Sequence, residues 1–147
     1  GDTAASPVSK ENLAIAKSWL ASSDEYNLLV NGTAITAFPV YYQNDLALLR
    51  QSLRIVQAGT EVAEVKGKDL IPAHGLAMSR LLKTSVFSTE ALTYEQAIAY
   101  LRKEAIVLPP SVPKGYVLVT YKEIPLGFVK NIGNRAAGVA YPKRISA

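Results

Sequence analysis

Cysteine is absent from the 147 residues, and histidine, methionine and tryptophan occur once each. Without cysteine there are no disulfides, no thiolate metal sites and no cysteine nucleophile, which suits a reducing cytosol; a cytoplasmic location is expected. With His74 alone, a metal centre would have to recruit carboxylates such as Asp69 or Glu64, and no zinc-type or two-histidine spacing is present. No Gly-x-Ser-x-Gly elbow accompanies His74, so it reads as a packing residue at a helix start rather than a catalytic base. The glycines stand singly, at Gly59, Gly67, Gly75, Gly115, Gly127, Gly133 and Gly138, and form neither a phosphate-cradling loop nor a dinucleotide fingerprint. No apolar run approaches the roughly 18 residues of a membrane span, and the first residues lack the basic and apolar regions of a signal peptide. No metal, no cofactor, no membrane contact and no catalysis by this chain itself are therefore expected. A start at Gly1 rather than methionine reads as a piece cut from something longer.

The composition, 49% hydrophobic and 19% charged, lies in the globular range and implies a buried core. The net charge of +4 is modest, but its distribution is uneven. Residues 1–49 hold two lysines against five acids, and residues 50–83 hold six basic side chains against three acidic ones. Residues 114–147 hold six basic residues and a single acid, Glu123. A basic end of this kind suits a polyanion, because Lys and Arg that neutralise phosphates release counterions.

Helical and strand signals alternate. Ser9 caps an expected helix through Trp19 and Leu20 that ends near Ser22 and Ser23. Tyr26 to Val30 and Thr33 to Phe38 read as strands joined by Asn31-Gly32. A short helix is expected from Asn44 or Asp45 to Gln51, then a strand from Leu53 to Gln57. Thr60 to Lys66 alternates like a strand before the Gly67 turn, and Pro72 fits the first turn of a helix running through Leu76, Ala77, Arg80 and Leu81. Thr93 and Gln96 form a capping-box pattern for a helix ending near Lys103. Beyond the stiff connector at Pro109, Pro110 and Pro113, strands Tyr116 to Tyr121 and Leu126 to Ile132 close a second hairpin.

Basic residues mix with aromatics and amides at this end. Lys130, Asn131, Asn134 and Arg135 flank Gly133, and Tyr141, Lys143 and Arg144 follow. Lys and Arg meet phosphates, Asn reads base edges, and Tyr stacks an unpaired base, which is how single-stranded or distorted RNA is recognised. Tyr141 fits core packing as well as stacking, and Lys143 and Arg144 fit a solvated chain end. Lys66, Lys68 and Arg80 form a second basic cluster, which faces the same groove if the two hairpins close one barrel. A competing reading makes the chain a protein-interaction domain docking through an exposed Trp19 and Leu20. A third makes it a small enzyme built on His74.

The segment Pro113 to Pro142, PKGYVLVTYKEIPLGFVKNIGNRAAGVAYP, resembles the closing segment of Sun-type RNA cytosine-5 methyltransferases, particularly RsmF-like ribosomal RNA methyltransferases. Three earlier blocks fit in the same order: Ala58 to Lys68, Ile71 to Ser79, and Glu95 to Arg102. The resemblance spans roughly residues 55–147 and implies an α+β fold, a PUA-like mixed pseudo-barrel with short helices, preceded by the N-terminal helix. It also implies an organisation of residues 1–24 as a helical arm, 25–57 as a small connecting subdomain and 58–147 as the RNA-binding domain. The implied partners are ribosomal RNA, of the small subunit, and a catalytic methyltransferase domain in cis. S-adenosylmethionine would be bound by that absent domain, and the family's cysteine nucleophiles have no counterpart here. Glu123 stands where the family's hairpin turn carries glycine, which predicts a different turn geometry or register. Ala136 to Ala140 is less polar than the family pattern.

Overall fold

The computed structural model describes residues 7–40 and 59–139. The chain divides into two compact units, Gly1–Val86 and Phe87–Ala147. Among the described residues each unit carries one four-stranded sheet and short helices, a mixed α+β architecture. The boundaries read from the sequence, after residues 24 and 57, both lie within the first unit. The helix expected at 44–51, the strand at 53–57 and the C-terminal residues 140–147 lie outside the described residues. No helix among the described residues is long and apolar enough to cross a membrane.

In the first unit, helix α1 (Lys10–Ser18) starts on a reciprocal cap: Asn12 N–H donates to Ser9 Oγ at 3.0 Å and Ser9 N–H to Asn12 Oδ1 at 2.9 Å. It ends earlier than expected because residues 19–21 pair sideways instead of continuing the helix. Lys83 N–H donates to Trp19 O at 2.7 Å and Ala21 N–H to Leu81 O at 2.8 Å. Strands β1 (Tyr26–Asn31), β2 (Ala34–Pro39), β3 (Thr60–Lys66) and β4 (Asp69–Pro72) form an antiparallel meander in chain order. The β1–β2 loop is Gly32-Thr33, one residue later than the expected Asn31-Gly32. Only Gly32 takes positive φ there (+64°), the pattern of a loop with glycine at its first position. Central strand β3 does not alternate as its sequence suggests: Val62, Ala63, Glu64 and Val65 are all buried. Buried Glu64 accepts from Thr33 Oγ1 at 3.2 Å. Pro72 closes β4 opposite Ala63 rather than opening a helix, and α2 is one short turn and a half, His74–Met78.

In the second unit, β5 (Ser88–Ala91) lies parallel to β6 (Gly115–Tyr121), β7 (Ile124–Asn131) pairs antiparallel with β6, and β8 (Ala136–Gly138) pairs antiparallel with β7. A parallel pair cannot be joined by a tight turn, and α3 (Tyr94–Leu101) with the proline connector supplies the crossover. The α3 capping box forms as expected, with Gln96 N–H donating to Thr93 Oγ1 at 3.1 Å and Thr93 N–H to Gln96 Oε1 at 2.9 Å. Lys103 ends the helix in the left-handed region, φ +65°. Leu92, Ala97, Ile106, Leu108, Val117, Val119, Val129 and Ala136 form the core on one sheet face. Phe128, on the other face, packs against Phe87 with ring centroids 4.9 Å apart. Ile106 and Ala136 exchange backbone hydrogen bonds of 2.8 and 2.6 Å, so the chain after α3 borders β8.

Candidate nucleic-acid interface

The β6–β7 hairpin has two chemically different ends. Its closed end carries Glu123, the only acid from Ala105 to Ala147. Its open end carries Lys114, Lys130 and Arg135, all exposed. Eight-residue β7 separates these ends by roughly 24 Å, well beyond the ~8 Å screening length at physiological salt, so the acid does not offset the cations. The open end gathers three exposed cations.

A bulge decides what Lys130 faces. A regular two-residue turn at Lys122-Glu123 would set Tyr116 against Val129. The register shift between Val119 and Thr120 moves the pairing by one, and Tyr116 faces Lys130 instead. The ammonium then sits 5.7 Å from the centre of the Tyr116 ring, a cation–π arrangement that holds the charge at the sheet surface. Beyond β7 the chain turns through Ile132–Arg135, closed by Ile132 N–H donating to Arg135 O at 3.0 Å. This turn exposes Asn134 and Arg135.

Asn131 corrects the sequence reading. Its side chain does not reach toward a base edge; it is 2% exposed. Its Nδ2 donates to Val112 O at 3.2 Å and Pro113 O at 3.0 Å, and its Oδ1 accepts from Gly133 N–H at 3.1 Å. One buried amide thus ties the proline connector to the turn that carries Asn134 and Arg135. Burial with all these hydrogen bonds satisfied makes it a positioning residue.

Lys114 and Tyr116 belong to this surface and were not singled out by sequence reasoning. Lys114 was masked by its proline-rich context. Tyr116 becomes the neighbour of Lys130 only through the bulge, which has no local signature. Lys66, Lys68 and Arg80 are exposed, but Lys66 and Lys68 lie at the β3–β4 turn and Arg80 follows α2, all in the first unit. The two hairpins belong to different four-stranded sheets, β3–β4 to that of the first unit and β6–β7 to that of the second. Tyr141, Lys143 and Arg144 lie outside the described residues.

The competing readings find little geometry. Trp19 and Leu20 are buried, 7% and 3% exposed, and so are not the presented anchors that docking through them requires. His74 is exposed at the start of α2, and among the described residues no three His, Cys, Asp or Glu side chains gather as metal ligands do.

No curated protein matches the chain. Residues 87–137, from the start of the second unit to within β8, match the family model of the methyltransferase RsmF PUA domain, an RNA-binding and non-catalytic module. That stretch contains β5, α3, the hairpin and the turn bearing Asn134 and Arg135, so the second unit of this chain carries a PUA-like domain of the RsmF-like methyltransferases.

Proposed function

We propose that this chain is the RNA-binding accessory region of a ribosomal RNA (cytosine-5) methyltransferase, holding small-subunit ribosomal RNA for a catalytic domain in cis. The observation that carries the reading is the acid-free cationic end of the β6–β7 hairpin, inside the segment matched as a PUA domain. Lys130 and Arg135 neutralise backbone phosphates, and Asn134 on the exposed turn is available to a base edge. Residues 1–24 serve as an arm to the catalytic domain, 25–57 as a connecting subdomain and 58–147 as the RNA-binding region with a PUA-like pseudo-barrel. S-adenosylmethionine belongs to the catalytic domain, because the cysteine nucleophile of this chemistry is missing from the chain, and no step of the reaction runs through the residues described here. The site of action is the cytoplasm.

The test is binding of the chain to small-subunit ribosomal RNA fragments across a salt series, beside the double variant Lys130→Ala, Arg135→Ala. Each lost phosphate contact should flatten the dependence of log affinity on log salt by about 0.9, so the double variant loses roughly two contacts' worth of slope. Equal slopes for both proteins would remove these side chains from the interface.

A further inference from the structure

Lys114 is mounted with more care than a solvated lysine needs. The carbonyl of Pro113 before it is pinned by Asn131 Nδ2 at 3.0 Å. Gly115 after it has φ +115°, a conformation open to glycine, and pairs with Asn131 to begin β6. The backbone at Lys114 is therefore held from both sides. Its stem lies across the β7–β8 turn: a Cβ built on Gly133 would come 3.2 Å from Lys114 Cε and 3.9 Å from its Nζ. Gly133 itself has φ +107°, a backbone conformation that disfavours any side chain there, and a Cβ would also push the lysine's end aside by a few tenths of an ångström. The ammonium is thereby delivered to the turn that presents Asn134 and Arg135, with no acid in the surrounding sequence.

We propose that Lys114 is a phosphate-contacting residue of the RNA surface, placed by the Asn131-pinned connector and by the absence of a side chain at Gly133. This rests on the RNA-binding reading above. It adds a cation from the connector to those from β7 and the following turn, so one phosphate chain would be gripped from three segments. A lysine fits the task as a point charge on a flexible stem, needing a fixed base but no fork geometry.

The experiment uses the whole chain, a labelled stem–loop RNA and a salt series. Lys114→Gln should weaken binding severalfold at low salt and flatten the log–log salt slope by about one, and Lys114→Arg should restore the slope. Lys10→Gln, in the capped helix of the other unit, should leave the slope unchanged. Gly133→Ala should reproduce the loss, and combining it with Lys114→Gln should add nothing further, a coupling that general destabilisation would not produce. Wild-type slope in Lys114→Gln, while Lys130→Ala, Arg135→Ala is impaired, would overturn the role of Lys114 and leave the RNA site standing. Absence of wild-type binding at low salt would overturn both.

Discussion

At the scale of single residues, Asn131 shows how far a side chain's chemistry underdetermines its job. An asparagine among lysines and an arginine has the donor and acceptor of a base reader, and that is how its sequence context presents it. Burial turns the same groups inward onto two carbonyls and one N–H. Asn131→Ala removes all three hydrogen bonds of a buried amide and should cost about 3 kcal/mol, read from the midpoint of chemical denaturation. Asn131→Asp should be worse, because a carboxylate cannot donate to the Val112 and Pro113 carbonyls. Tyr100 gives a pH signature. Its hydroxyl donates to Phe128 O at 3.4 Å, and burial pushes its phenol above the ordinary value near 10. The folded state therefore keeps this proton after the unfolded state has lost it. The stability this contributes is complete below pH ~10 and disappears as pH rises through the folded pKa. Tyr100→Phe should remove that part of the alkaline slope in unfolding experiments above pH ~10, and an unchanged slope would assign it to other groups.

At the scale of elements, what was legible is what is local. Both capping boxes are spelled within four residues, and both helices begin where Ser9 and Thr93 place them. The same locality makes the α3 cap quantifiable. Thr93→Ala should cost about 1 kcal/mol, the usual worth of such a cap. Gln96→Ala should cost more, since its Nε2 also donates to Val107 O at 3.0 Å and ties α3 to the connector; thermal midpoints of the two variants would rank them. The elements that were missed are those made by partners. Ser-Thr-Glu-Ala in β5 and Ala-Ala-Gly in β8 have no strand propensity worth the name, and each is a strand because β6 or β7 offers it an edge. Pro72 looked like a helix opener because proline suits the first turn; an edge strand suits it too, and β4 is the last strand of its sheet. At the glycine-free turn Lys122 and Glu123 both take positive φ, 47° and 69°, in a two-residue loop, and the register of the hairpin shifts between Val119 and Thr120. Two residues with side chains occupy the left-handed region that this loop type reserves for Asn, Asp and Gly. Glu123→Gly should stabilise the unit by about 1 kcal/mol, and Glu123→Gln, which removes the charge but keeps the Cβ, should not.

At the scale of the molecule, the readable part of the function was the polarity of charge along the chain, and the unreadable part was which cations share a surface. Sequence proximity grouped Lys130, Asn131, Asn134 and Arg135. The fold keeps three of them outside, turns Asn131 inside and adds Lys114 and Tyr116 through a pinned corner and a bulge. The Gly67 cluster shares a groove with them only if the two hairpins close one barrel, and its strands belong to the sheet of the first unit. Polar side-chain types announce a polyanion; only long-range pairing says where it lies.

The parallel seam between β5 and β6 also dictates an order of events in time. The β6–β7 hairpin closes over two residues, whereas β5 can meet β6 only after α3 and the whole connector have been gathered between them. Loop closure favours the hairpin as the nucleus and leaves the β5 seam for after the barrier. The left-handed strain at Lys122-Glu123 is then felt on the way up. The stabilisation from Glu123→Gly should appear chiefly as faster refolding in stopped-flow measurements, with the unfolding arm nearly unmoved. A weakened β5, as in Thr89→Gly, should instead speed unfolding and spare the refolding rate.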